Sequence, residues 1–406
     1  MTNAEQAAAA EQAIPTDTQE EFRTGLVATI ASGHFVHDTF TAFVAPLLPL
    51  VIEKLSLSLT MAGALNAFMQ LPAVLNPFIG YLADKLSLRY FVIFAPAATA
   101  TLIGLMGLAP NYGTLVFLFI LIGISVAAFH APTPAMIARV SGQRVGLGMS
   151  LYMAGGELGR TVGPLVAVSA VSLWGLEGIY RLIVLGWAAS LILFWRFRNI
   201  SSSDYRMKAG NLSAELPKLR SFFLPIVLLT FTRAFLSGSI TTYLPTFLNF
   251  EGASLTFAGI SLSVLEAAGV AGALLSGTAS DRFGRRPVLL ICLSLSSILM
   301  FVFLQVGGWA TIPVLLLLGF FSIAPQPVLL ALVQDAVPDN RAVANGLYMT
   351  ISFLVRSLVL VLLGVAGDAW GLRTTFTISA VISIFALAPV LMINFNQHET
   401  SQEQAR

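Results

Sequence analysis

The segment Gly80-Tyr-Leu-Ala-Asp84-Lys85 returns as Gly277-Thr-Ala-Ser-Asp281-Arg282, 197 positions downstream (277 − 80). It does not return alone. Arg144 reappears as Arg341 at 197, while Pro49, Leu151-Tyr152 and Arg160 reappear as Pro245, Leu347-Tyr348 and Arg356 at 196. Ala131-Pro-Thr-Pro134 recurs as Ala324-Pro-Gln-Pro327 at 193. Landmarks of unlike type sharing nearly one offset require two equivalent halves in one chain of 406 residues.

What the halves are made of decides where they sit. The chain is 56% hydrophobic and 10% charged, against roughly 25% charged in a soluble domain. So few charges cannot cover a surface that faces water, and the chain is expected to be integral to a membrane. A spanning helix needs about 20 mostly apolar residues, and loop breakers and charges mark out twelve such segments. Six lie near 24–52, 60–83, 90–110, 113–138, 145–172 and 178–197, and six near 221–249, 256–279, 286–306, 310–335, 342–367 and 373–395. The fold class is therefore an all-α membrane protein, with twelve transmembrane helices in two pseudo-symmetric six-helix bundles. The expected domains are an N-terminal tail (1–22), a first bundle (23–197), a polar linker (198–220), a second bundle (221–395) and a C-terminal tail (396–406). Two bundles in parallel repeat are one of the recurrent architectures of secondary transporters.

Lysine and arginine set the orientation. Arg23, Lys85, Arg89, Arg139, Arg144, the linker cations, Arg282, Arg285, Arg286 and Arg341 fall on one face, against Lys54, Arg181 and Arg373 on the other. Both termini and the linker are expected in the cytoplasm, the protein in the cell (inner) membrane. Residues 1–22 lack the basic start and apolar core of a secretory signal. The single cysteine, Cys292, rules out an internal disulfide. No basic patch interleaves with aromatics as nucleic-acid binding requires. No phosphate-cradling Walker loop is present either, which disfavours ATP-driven pumping.

Charges inside apolar helices are costly and normally face a bundle interior or a watery cavity. His34, His37, Asp38 and Thr41 follow i, i+3, i+4, i+7 spacing, one face of the first helix, and His130 ends an apolar run in the fourth. Three readings of this group stand side by side. It is a proton relay through Asp38, a transition-metal site built from His34, His37, Asp38 and His130, or a hydrogen-bonded structural cluster. Three arginines, Arg160, Arg233 and Arg356, face Asp38, Glu157 and Glu266 as the charges deepest in the apolar helices. Arginine keeps its charge and grips carboxylates or phosphates in a fork. Arg233, the repeat counterpart of His37 at offset 196, and Arg356 have no local acidic partner in sequence. Arg160 has Glu157 at i−3, so a local pair is the competing reading there. His34, His37, His130, Arg160, Arg233, Gln326 and Arg356 are the candidate substrate-binding residues, and Asp38, Glu157 and Glu266 the candidate proton-coupling ones. Gly155, Gly156, Gly159 and Gly163, spaced for close backbone approach, read as helix-packing positions. Prolines at 46, 49, 72, 77, 132, 134, 325 and 327 are expected to bend or open their helices.

These residues resemble the major facilitator superfamily. Its loop between helices 2 and 3 stands in full at Gly277–Arg286, with Asp281, Arg282, Gly284, Arg285 and Arg286, and in degenerate form at Gly80–Arg89, with Asp84. Gly159-Arg-Thr-Val-Gly163-Pro164 is similar to the helix 5 motif of that superfamily's exporters, although Leu165-Val166 stand in place of the glycine pair that follows there. Within the superfamily, HFVHDTFTAFVAPLLPL, the Gly80 loop and Phe129-His130 running into ARVSGQRVGLGMSLYMAGGELG are similar to the fosmidomycin-resistance-like group. That group follows the helix 4 histidine with Pro and an acidic residue, where this chain has Ala131-Pro132-Thr133. The resemblance implies a monomeric, proton-coupled exporter of a small anionic or amphiphilic compound, working by alternating access without a cofactor. Its partners are a substrate, protons and the lipid bilayer. Gly80, Asp84, Arg89, Gly277, Asp281, Arg282, Arg285 and Arg286, with Gly159, Gly163 and Pro164, then carry conformational roles. The rival expectations are uptake by proton symport, metal or metal-chelate export through the histidines, and a receptor or scaffold without transport.

Overall fold

The computed structural model describes residues 22–75, 89–198, 212–336 and 341–393. Among these the chain is helical throughout, without a strand. The spanning segments in order are α1 (Thr24–Leu55), α2 (Leu59–Val74), α3 (Arg89–Met106), α4 (Tyr112–Val140) and α5 (Val145–Trp174). They continue as α6 (Glu177–Phe197), α7 (Phe223–Phe250), α8 (Leu255–Phe283), α9 (Arg285–Phe303) and α10 (Gly308–Ala336). One continuous run, Ala344–Met392, holds both remaining spans, which we name α11 (344–370) and α12 (372–392). The run reverses at Gly371, whose φ of 79° and ψ of 158° no side chain accommodates comfortably. Each of the twelve segments read from the sequence is helical over its described residues, the second as far as residue 75. The helix leading into α7 starts back at Leu212, inside the stretch taken as linker; the Leu, Ala, Glu, Lys and Arg of 212–220 are good helix formers. Gly80 and Asp84, like residues 1–21, 199–211 and 394–406, lie outside the described residues.

The first and fourth helix of each half are interrupted, and a proline stands at every interruption. Helix α1 breaks between Thr41 and Val44, ahead of Pro46 and Pro49, and α4 breaks at Ala131-Pro132. A single π-helical turn, Ser239–Tyr243, precedes Pro245 in α7, and α10 breaks at Ala324-Pro325. Proline lacks the N–H that would bond four residues back, and its ring crowds that carbonyl. The same defect at equivalent places in both halves is the backbone form of the sequence repeat.

Helix α5 lies against α1 at backbone distance because its facing side is glycine. A Cβ on Gly155, Gly159 or Gly163 would run into the carbonyl oxygens of Ala31, Phe35 and Thr39, and one on Gly156 into the His34 ring. These glycines therefore pack helices, as their spacing suggests.

The buried apolar side chains show how the halves meet. One large cluster draws on both halves, from Phe40, Leu47 and Leu59 to Phe235, Val359 and Phe376. It occupies the end where α1 finishes and α2 begins. Toward the other end, which carries Arg23, Arg139, Arg144 and Arg285, the core divides. One cluster (Val27, Ile93, Phe129, Tyr152, Leu193) belongs to the first half, and one (Ile226, Leu289, Val328, Tyr348, Val390) to the second. A shared core at one end and separate cores at the other describe a V. We call the joined end sealed and the opposite one basic; the cleft between the bundles opens at the basic end.

Candidate functional site

Cross-half hydrogen bonds gather at the sealed end. Asp368 on α11 reaches the start of α2, where its carboxylate accepts from the Leu59 and Thr60 amides (2.7 and 2.8 Å) and from the Thr60 hydroxyl (2.6 Å). The first amides of a helix have no partner within it, so a carboxylate placed there is both a cap and a counter-charge. Tyr243, in the π turn of α7, donates toward the carbonyls of Leu59 and Leu360, each at 3.1 Å. Gly63 on α2 and Gly364 on α11 let those helices touch, since a Cβ on either would meet the carbonyl of Leu360 or Leu59. Asp368 and Tyr243 are absent from the sequence-derived candidates. The available signal for Asp368 was one charge in an otherwise apolar stretch, 357–372.

Midway along the bundles stand the charged residues. Arg160 on α5 pairs with Glu157 one turn back and reaches across the interface to Glu266 on α8, 3.8 Å away. That ion pair bridges the halves. Arg233 on α7 has no such carboxylate: one guanidinium nitrogen donates to the Gln326 side chain (3.0 Å) and another to the Ser322 carbonyl (3.2 Å), both on α10. Arg356 on α11 donates to the Thr241 hydroxyl at 2.9 Å, with Thr242 at 3.5 Å. Among the described residues, both guanidinium groups hydrogen-bond only to neutral oxygens, and Glu266 is close enough to act on Arg356 electrostatically. Gln326 thus serves as an orienting partner of Arg233.

In the first half, the position matching Arg233 is His37, which stands in the histidine cluster. His34, His37 and Asp38 are buried at 3%, 0% and 8% exposure, while the His130 side chain, 36% exposed, borders the cleft. Asp38 gathers all three rings: His37 Nδ1 lies 2.9 Å from one carboxylate oxygen, His34 Nε2 3.3 Å from the other, and His130 Nε2 3.5 Å away. Two rings are clamped by stacking, His34 on Tyr152 (4.1 Å between centroids, 18°) and His37 on Phe129 (4.4 Å, 11°). Thr41, on the same helical face, bonds only the Asp38 carbonyl.

The charged loop between α8 and α9 makes its ion pairs within its own half. Arg285 joins Asp281 (3.2 Å) and Asp335 at the end of α10 (2.7 Å), and exposed Arg282 lies over the Phe283 ring. Arg89 contacts the Tyr90 hydroxyl at 3.2 Å. At the sealed end each half has its own charge clasp: Lys54 with Glu177 at 2.6 Å in the first, Arg373 with Glu251 at 2.6 Å in the second. Lys54 also reaches the Gly107 carbonyl, and Arg373 that of Leu304. The positions match through the repeat with their signs exchanged.

Comparison with known proteins agrees with this architecture. The sequence profile of the Major Facilitator Superfamily matches residues 30–360 and 226–405. The fosmidomycin resistance protein of Escherichia coli (strain K12) is 24% identical over 98% of this chain and 100% of its own. The multidrug resistance protein MdtG of Proteus mirabilis is 25% identical over 87% of this chain and 92% of its own. Among solved structures, a bacterial homologue of the human lysosomal transporter Spinster superposes with TM-score 0.80 at 14% identity, covering 91% of this chain and 96% of that one. A D-xylose–proton symporter superposes at 0.71 with 18% identity, over 92% and 97%. A twelve-helix repeat, a cleft between two bundles and a profile spanning both halves lead to one assignment: the chain is a member of the Major Facilitator Superfamily, an integral membrane transporter and not an enzyme.

Proposed function

We propose that this transporter exports small organic anions or anionic amphiphiles across the cell (inner) membrane by alternating access, as a monomer, with protons moving the other way. Both termini lie in the cytoplasm, so the conformation described above opens inward. The observation that carries the reading is the pair Arg233 and Arg356: two permanent cations at mid-membrane whose hydrogen-bond partners are all neutral, with Glu266 acting on Arg356 from a distance. A lone buried charge is costly, and an anionic substrate between α7 and α11 relieves it. On the first half's side His130 is the partly exposed member of the histidine cluster, with His34 and His37 buried behind it.

Proton exchange is assigned to Glu266 and Glu157, which share Arg160. With both carboxylates ionised, one cation serves two anions; a proton on Glu266 releases Arg160 from the cross-half contact and frees α5 to move against α8. Loading a proton and breaking an interface bond are then one event, as a coupled carrier requires. Export rather than uptake is supported by the resistance-type relatives and by the helix 5 motif around Gly159.

Counterflow in proteoliposomes tests the reading, using a panel of organic anions beside their neutral esters. Anions exchange, their esters do not, and Arg233→Ala and Arg356→Ala abolish the difference. Glu266→Gln keeps substrate exchange but no longer moves protons against it. Equal exchange of anions and esters by the unaltered protein overturns the substrate class, and proton flux in the substrate's direction overturns antiport.

A further inference from the structure

The histidine cluster contains a contradiction that a proton-free reading of its atoms cannot resolve. His34 Nδ1 lies 2.8 Å from the Tyr152 carbonyl oxygen, and His130 Nδ1 lies 3.0 Å from that of Val126. A carbonyl only accepts, so both Nδ1 atoms carry hydrogen, and in the neutral rings both Nε2 atoms present lone pairs. Those two Nε2 atoms face each other across 3.2 Å. The Asp38 carboxylate, also an acceptor, closes the triangle at 3.3 Å from His34 and 3.5 Å from His130. Three lone-pair donors thus converge with no hydrogen between them. Such a centre repels itself unless a cation occupies it.

The spacing says which kind of cation. Four ligands set tetrahedrally about 2.0–2.1 Å from a zinc-class ion stand about 3.3–3.4 Å from one another; here the two Nε2 atoms are 3.2 Å apart, with Asp38 Oδ2 3.3 Å from His34 and Asp38 Oδ1 3.5 Å from His130. The three donors lie close enough together to serve one ion. Two imidazole nitrogens and a carboxylate oxygen suit zinc, cobalt or nickel rather than magnesium or calcium. The surroundings are those of a metal centre as well. Each ligating ring is fixed in its tautomer by an Nδ1–H bond to a backbone carbonyl, and Asp38 is held by His37 Nδ1–H; metal-ligating side chains are oriented in this way. His37 is therefore a positioning residue, one bond removed from the ion. His34 and Asp38 come from α1 and His130 from α4, and the stacked Tyr152 ring comes from α5, so the ligands are preorganised by packing. Half-exposed His130 supplies the way in from the cleft.

We propose that His34 Nε2, His130 Nε2 and an oxygen of Asp38 form a three-coordinate binding site for a divalent transition-metal ion of the zinc class, with the fourth position open toward the cleft. The site is distinct from the Arg233–Arg356 region, and stands or falls independently of the substrate class and of antiport.

Its test uses the full-length, tag-free protein, stripped with chelator and titrated with Zn²⁺ and Co²⁺ alone. One equivalent of Zn²⁺ binds and raises the melting temperature, since a ligand of the folded state stabilises it. Bound Co²⁺ shows the intense visible absorption of four-coordinate cobalt. His34→Ala and Asp38→Asn each lower the affinity by at least about 100-fold, beyond the 10–100-fold typical of an orienting group. His37→Ala causes a loss within that smaller range. Because His34 and Asp38 are buried, His130→Gln at the cleft edge is the deciding variant: it remains folded, with unchanged melting in chelator, and loses the zinc-induced rise. His398→Ala, which removes the one histidine outside the cluster, binds as the unaltered protein does. Absence of one-equivalent binding, or binding that survives His130→Gln, shows that the centre holds a proton alone and overturns the proposal.

Discussion

Arg233 and Arg356 differ from Arg160 in what neutralises them, and the difference reaches into function. Arg160 is held between Glu157 and Glu266, whereas Arg233 spends its hydrogen bonds on Gln326 and the Ser322 carbonyl. A lysine at 233 keeps the charge but has no planar fork with which to hold both partners and a ligand at once. Arg233→Lys is expected to weaken anion binding about tenfold, the loss of one charge-assisted bond of about 1.5 kcal/mol, with neutral ligands unaffected. Ligand-induced melting shifts for anion and ester measure it, and a lysine variant that binds as arginine does removes the fork from the argument. The sequence itself exposes these arginines, because an unmatched cation in an apolar helix is visible without coordinates. It hides the tautomers of His34 and His130. Those depend on which carbonyl each ring meets, and the Tyr152 carbonyl is 118 residues from His34.

The elements that hold the sealed end are those where apolar pattern says least. Asp368 reads in sequence as one acid near a helix end; only the packing of α11 against α2 brings it onto the Leu59 and Thr60 amides. The proline interruptions of α1, α4 and α10 were legible, since they follow from local backbone chemistry, whereas the π turn before Pro245 in α7 was not among those expected. Contacts between halves were not legible, because they join surfaces selected by how two finished bundles face each other. Removing the charge of a helix cap costs about 1 kcal/mol. Asp368→Asn should accordingly move the ratio of closed to open forms of the sealed end about fivefold, read as faster labelling of a cysteine placed at Thr60. Unchanged labelling would assign the closure to apolar packing alone.

At the scale of the whole molecule, one core spans both halves at the sealed end and separates into two at the basic end. Rocking about that shared core must part Gly63 from the Leu360 carbonyl. Gly63→Val therefore penalises only the sealed arrangement, by about 1–3 kcal/mol for an overpacked contact. A folded protein trapped with its sealed end open, and inactive in counterflow, is the expected outcome; normal transport would mean that α2 and α11 do not approach so closely in the working cycle. The mirrored clasps carry a further consequence. Lys54 closes on Glu177 and Glu251 on Arg373, each partner drawn from the same bundle, and Arg285 likewise binds Asp281 and Asp335 of its own half. Among the described residues these three clasps take both partners from one bundle, while the Asp368 cap and the Arg160–Glu266 pair are what join the two. Two separate polypeptides, divided within 199–211 and co-expressed, should each insert and then dock into a working carrier.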